Sequence, residues 1–120
     1  MTKYHSEHTW VRVENDTAFV GITVHAQETL GDIVFVELAE IGKSFEQASV
    51  AGVVESVKAA ADVHMPVSAT VIAVNEELRA DPSLGNSDPE GAGWFYQVKL
   101  SSPAELDALM DAAAYLDFAG

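Results

Sequence analysis

Along most of this chain, branched or aromatic residues alternate one for one with polar ones in short runs bounded by turn formers. That period of two commits the chain to β-strands, because only in a strand do successive side chains point to opposite faces. In Trp10-Val11-Arg12-Val13-Glu14, Val11 and Val13 share a face that Arg12 does not, and Asn15-Asp16 makes a turn into a second run, Ala18 to Val24. The segment Asp32-Ile33-Val34-Phe35-Val36-Glu37-Leu38 is apolar on both faces and reads as a buried strand. Between these runs, His25 to Leu30 suits one helical turn ended by Gly31.

Further strands are expected over about Val50 to Val57 and Val63 to Pro66, with Lys58 at the apex of the hairpin between them. Thr70-Val71-Ile72-Ala73-Val74 alternates into Asn75, a residue suited to cap a short helix through Glu76-Glu77-Leu78. Asp81 to Gly93 holds two prolines and three glycines and reads as a loop, and Trp94 to Leu100 returns to a strand pattern. After Ser102-Pro103-Ala104-Glu105, a capping-box spacing with proline at the first helical position, Leu106, Leu109, Met110, Ala113 and Leu116 recur at helical intervals. They predict a C-terminal amphipathic helix over about 103–118 whose stripe packs on the core. The 120 residues fit one domain, 1–120, with its strand core over about 10–100.

Composition narrows the chemistry. With no cysteine, the chain has no disulfide, no thiolate metal site and no cysteine nucleophile, so redox chemistry has to come from an attached or borrowed group. A formal charge of −13 opposes binding to nucleic acid and favours encounter with basic patches on protein partners. No stretch approaches the roughly 20 apolar residues that span a bilayer, and Met1 to Arg12 is mixed polar rather than a charged-then-apolar signal, so no membrane association is expected. The expected location is the cytoplasm, or the mitochondrial matrix where a transit peptide has been removed.

Two constellations invite a site. His5, Glu7 and His8 cluster near the N-terminus, but two histidines three apart, outside a clear helix and without a placed third ligand, do not make a metal centre, and none is expected. His25 and His64 stand alone, and no Ser-His-Asp signature, dinucleotide-binding glycine pattern or phosphate-cradling loop occurs. The second constellation is Val53-Val54-Glu55-Ser56-Val57-Lys58-Ala59-Ala60-Ala61-Asp62. In a chain with 4 lysines and 2 arginines against 19 acids, a cation set among valines and alanines at a hairpin tip is placed for access by a modifying enzyme. Amide formation there removes its charge and makes the side chain a long tether. An ordinary exposed lysine at a turn fits these local features equally well.

The run Val54-Glu55-Ser56-Val57-Lys58-Ala59 resembles the lipoylation motif of the glycine cleavage system H-protein family. Similar signatures follow in order along nearly the whole chain: Gly21-Ile22-Thr23, His25-Ala26-Gln27, Leu30-Gly31-Asp32, Val34-Phe35-Val36-Glu37-Leu38, Pro66-Val67-Ser68, Val74-Asn75, Asn86-Ser87-Asp88-Pro89 and Gly93-Trp94. The resemblance implies a mainly β fold, the lipoyl/biotinyl-type barrel-sandwich hybrid of two antiparallel sheets with peripheral short helices and a C-terminal helix. It implies lipoate attached covalently to Lys58 by a lipoate ligase or octanoyltransferase, in a monomeric carrier with no catalytic residue of its own.

It further implies three partner enzymes. Glycine decarboxylase loads an aminomethyl group onto the arm, aminomethyltransferase passes its carbon to tetrahydrofolate with release of ammonia, and dihydrolipoamide dehydrogenase reoxidises the dithiol. His25 and Asp62 match positions associated with a cleft that shields the loaded arm, and Glu55 and Asp62 are acids placed for enzyme recognition or arm docking. The chain departs from the family pattern at Thr9, where an acid is common and for which Glu7 is the nearby substitute, at Ala48 and Ala69, where glycine is usual, and at Ala39, where proline is frequent. If either glycine position required a positive φ, alanine would be strained there. Three rivals stand beside this reading: a lipoyl or biotinyl module of a larger acyltransferase or carboxylase, a donor relaying lipoate to other dehydrogenase complexes, and an unmodified interaction protein.

Overall fold

The computed structural model describes residues 2–119, folded as two antiparallel sheets with short helices at their edges. The larger sheet has the order β1-β2-β3-β9-β8-β5, from β1 (Thr2–Tyr4), β2 (Thr9–Glu14), β3 (Thr17–Ile22), β5 (Ser44–Phe45), β8 (Ala69–Val74) and β9 (Tyr96–Leu100). The smaller has the order β4-β6-β7, from β4 (Ile33–Leu38), β6 (Val50–Ser56) and β7 (Ala60–His64). They are not closed into a barrel, and their facing sides share one core in which Val11, Val20, Val71 and Val98 of the larger sheet meet Val36, Val54 and Val63 of the smaller. That burial of alternate branched residues supplies the main driving force for this architecture. Tyr96 ties the sheets together, its buried hydroxyl donating to the Ala51 carbonyl while accepting from the Ala39 N–H at 2.6 Å. A proline at position 39 would have no N–H for that bond.

Local chemistry explains the short helices. Thr23 caps α1 (Val24–Leu30), its hydroxyl accepting from the Ala26 N–H, and Gly31 at φ 78° ends it as the sequence suggests. Asn75 caps α2 (Glu76–Ala80) by accepting from the Leu78 N–H, and its amide donates to the Ala92 and Trp94 carbonyls. Within the expected loop 81–93 lies one further turn of helix, α3 (Leu84–Ser87), from which Asn86 reaches back to bond the Ile33 N–H and the Gly31 carbonyl.

Two expectations fail for identifiable reasons. The C-terminal segment is not one helix but a 3-10 helix (Pro103–Ala108), a break and then α4 (Ala112–Ala119). At the break, Met110 pairs with Tyr4 as a strand would, and Asp111 rather than Ser102 does the capping, accepting from the Ala114 N–H at 2.8 Å. Ser102 makes no capping bond, and Glu105 instead binds the Ser68 N–H and hydroxyl at 2.7 and 2.8 Å. Leu106 is buried as expected, whereas Leu116 is 70% exposed and Tyr115 takes the buried place on α4. Nor is β4 buried on both faces: Ile33 and Val36 are, but the ladder with β6 shifts register between Ile33 and Phe35, leaving Val34 and Phe35 in solvent. The two-residue β5 and the N-terminal β1 lie in segments with no strand pattern of their own. Among the described residues no helix is long and apolar enough to cross a membrane.

Candidate functional site

Lys58 sits at the tip of the β6–β7 hairpin, exposed, in the three-residue turn Val57-Lys58-Ala59. One side chain fixes that turn. The Ser56 hydroxyl accepts from the Lys58 and Ala59 N–H groups at 3.2 and 3.1 Å and lies 3.1 Å from the Ala59 carbonyl, while the Ser56 N–H donates to the same carbonyl at 2.8 Å. The Val57 N–H donates to the Asp32 carbonyl at 3.0 Å, tying the turn to the chain just past α1. Gly31 lies under the lysine stem: a methyl added there would come within 3.2 Å of Lys58 Cε and 3.8 Å of Nζ. Positive φ and close approach both call for glycine at that position. No carboxylate pairs with the ammonium: among the described residues the ion pair is Arg79–Glu76, and the 3.7 Å approach of Glu7 to His64 does not involve Lys58. The residues therefore fit an acylated lysine: an exposed, unpaired amine at a rigid tip can be modified without dismantling any interaction.

A cleft of about 210 Å³ opens beside this tip, between α1 and β7. Ala26, Thr29 and Leu30 of α1 form one side, Val54 with Ala61 to Val63 another, and Glu7 to Thr9 the end. His25 lines it, and Asp62, exposed on β7, stands at its rim, so the sequence-predicted pair meets one cavity. Glu55 lies outside it, on the solvent side of β6. Thr9 is 2% exposed, and its hydroxyl has no hydrogen-bond partner although it borders the cleft. An orphaned buried hydroxyl costs roughly 1–3 kcal/mol, which a polar group entering the cleft would offset. Glu7, the nearest carboxylate to Thr9 in sequence, lines the same space, and its Oε2 is 3.7 Å from His64 Nδ1.

The cleft wall continues into a polar chain. The Ala26 N–H donates to Thr23 Oγ1 at 3.2 Å, Thr23 Oγ1 is 2.7 Å from the Tyr115 hydroxyl, and that hydroxyl is 2.6 Å from His8 Nδ1. The chain is satisfied when Thr23 donates to Tyr115 and Tyr115 to an unprotonated His8. Burial and the neighbouring His25, whose ring centre is 4.6 Å away, hold His8 below the ordinary imidazole range against the opposing pull of Glu7. Burial likewise lowers His5, whose Nδ1 accepts from the Glu7 N–H. Tyr4, stacked on Tyr115, is pushed up to about 12 by burial and by Glu90. With His5 and His8 engaged separately, no group of three metal-ligating side chains assembles among the described residues.

Ser56 and Gly31 are the site residues that sequence reasoning did not place, whereas Thr9, singled out there as a departure from the family pattern, does line the cleft. Gly31 was legible as a helix terminator, but nothing in the sequence brings it beneath Lys58, and no local pattern signals the turn-locking role of Ser56.

A β fold of two facing sheets presenting one lysine at a locked hairpin tip defines a carrier module of the lipoyl/biotinyl type. The chain belongs to the glycine cleavage H-protein family, whose model matches residues 2–119. It is similar to the glycine cleavage system H protein of Chromobacterium violaceum, 58% identical over 114 residues that cover 94% of this chain and 89% of the relative. It is 55% identical over 116 residues to that of Xanthobacter autotrophicus, covering 97% and 93%. Among solved structures, a glycine cleavage system H protein from Mycobacterium marinum superposes with a TM-score of 0.89 at 34% identity, covering 97% of this chain and 94% of that one.

Proposed function

We propose that this chain is the non-catalytic lipoyl carrier of a glycine cleavage system, with lipoate in amide linkage to Lys58. The observation that carries the reading is the exposed amine of Lys58 on a turn locked by Ser56, over Gly31, whose neighbour Leu30 lines a cleft of about 210 Å³. In the acylation, the unprotonated Nζ attacks the carboxyl carbon of an activated lipoyl or octanoyl donor, a C–N bond forms, the activating group leaves and Nζ gives up a proton. The bound arm supplies the disulfide chemistry that a cysteine-free chain lacks.

What the protein itself contributes is positioning. Tethering turns encounters with separate active sites into events at high effective concentration. The apolar side chains of Ala26, Leu30, Val54 and Ala61 would pack against an arm lying in the cleft and limit the access of water to it. Glu7 and Asp62 offer carboxylates to the amine, His25 a ring nitrogen, and Thr9 its unpartnered hydroxyl. The partners of this reading are glycine decarboxylase, aminomethyltransferase, dihydrolipoamide dehydrogenase and a lipoate-attaching enzyme, met by a monomer of residues 1–120 in the cytoplasm.

Intact mass with peptide mapping of the protein from its native cells tests the reading. One lipoyl group on Lys58, lost together with glycine cleavage in Lys58→Arg, is the expected result. A wholly unmodified Lys58 in cells whose other lipoyl proteins are modified overturns it.

A further inference from the structure

The face of the smaller sheet turned away from the core carries exposed apolar residues that neither folding nor the cleft uses, beside carboxylates of which only Asp62 also reaches the cleft rim. Register places Phe35, Glu55 and Ala60 in one cross-strand row and Glu37, Val53 and Asp62 in the next, while the intervening row Val36, Val54 and Ala61 turns inward. The register shift in β4 adds Val34 to the outer set: Val34 is 56% and Phe35 50% exposed, and Val57, beside Lys58 in the turn, is 67% exposed. Exposed large apolar residues clustered at a bulged strand mark an interaction surface, since bulges re-aim side chains and solvent contact with such residues is unfavourable. The three strands contain no lysine or arginine, so the carboxylates of Glu37, Glu55 and Asp62 outnumber the cations bordering this face, Lys43 beside Glu37 and Val53 at one end and Lys58 at the other. A complementary partner brings apolar groups ringed by basic ones.

Resting on the carrier reading above, we infer that this face is where the enzyme that acylates Lys58 docks, with Val34, Phe35 and Val57 as its apolar anchors. Reach selects this occupant. A bare lysine extends only as far as its own four-carbon stem, so the acylating enzyme must bring its active site down onto the hairpin tip and cover what adjoins it. Enzymes that act on the finished arm meet its far end and are under no such constraint.

The test uses unlipoylated protein with a purified lipoate ligase, lipoate and ATP, following the mass of Lys58 peptides, together with calorimetric binding of the ligase to a Lys58→Arg background. The Val34→Ser/Phe35→Ser double variant is expected to raise both KM and Kd at least about tenfold, with kcat unchanged, because anchor residues act through association. Val57→Ser, outside the strand ladder, moves them in the same direction, and Leu116→Ser, equally exposed on α4, leaves them alone. Thermal unfolding of each variant at the wild-type temperature confirms that the fold is intact. Unchanged KM and Kd in the double variant overturn the inference. So does normal acylation combined with lost loading of the pre-lipoylated variant by glycine decarboxylase, which assigns the face to that enzyme. A wild-type protein that is never acylated overturns the carrier reading, and this inference with it.

Discussion

Alanine at position 48 is held at φ 70°, in the left-handed region, by bonds that leave it no freedom: its N–H donates to the Met65 carbonyl at 2.8 Å, and the Ser49 N–H closes the turn onto Glu46 at 3.1 Å. For an L-residue with a Cβ that conformation costs about 1–2 kcal/mol. Ala48→Gly removes the strain but gives the unfolded chain extra freedom worth about 0.4–1 kcal/mol. Ala48 is exposed, so its methyl contributes no burial to be lost. The balance is a gain of about 0.5–1 kcal/mol, which for a chain of this length raises Tm by roughly 2–4 °C.

Ala69, the other alanine at a position where the family resemblance leads one to expect glycine, provides the opposite case. It is fully buried in β8 and does not have a positive φ. Ala69→Gly therefore loses a packed methyl and stiffens nothing, lowering stability by about 1–2 kcal/mol. Calorimetric Tm and urea unfolding of both variants check the pair. A48G at or below the wild-type Tm, or both variants shifting the same way, would refute the assignment of strain to position 48.

Gly31→Ala, which combines a positive φ with a contact at 3.2 Å to Lys58 Cε, is expected to destabilise the protein by about 1–2 kcal/mol and to slow acylation, read by the mass of Lys58 peptides. Tyr96→Phe leaves the Ala51 carbonyl and the Ala39 N–H without their shared partner and should cost about 1–3 kcal/mol in urea unfolding without touching acylation. His8 and His5 titrate below their unfolded values, so the unfolded chain takes up protons that the native state refuses. Their contribution to stability is full above about pH 6.5 and is lost as pH falls through the lowered native values. His8→Asn keeps a residue tolerant of φ 65° and should flatten the fall in Tm between pH 7 and 5 relative to wild type. An unchanged pH profile would refute the role of His8.

Apart from β1 and β5, the strands were readable because alternation is a local property, although β7 runs Ala60–His64 rather than the expected Val63 to Pro66, and so were the Gly31 stop and the Asn75 cap, each set by one residue's own chemistry. The tip position of Lys58 followed from its flanking strands alone. What could not be read depends on distant partners. The bond from Glu105 to Ser68 and the pairing of Met110 with Tyr4 break a helix that the C-terminal periodicity favours, and neither partner is near in sequence. Likewise, Val34 and Phe35 look like core until the register shift with β6 turns both outward. The cleft forms where α1, β7 and residues 7–9 meet, a convergence that no local pattern in the sequence encodes.

Because the Ser56 hydroxyl accepts from the N–H groups of both Lys58 and Ala59, the backbone at Lys58 behaves as a fixed pivot, and the freedom of a group tethered there would lie beyond the lysine Cα. The volume such a group would sweep is then a cap centred on one point of the surface. Loosening the pivot would enlarge that cap and dilute the group everywhere within it, so one serine hydroxyl in the turn would set the local concentration of whatever Lys58 carries.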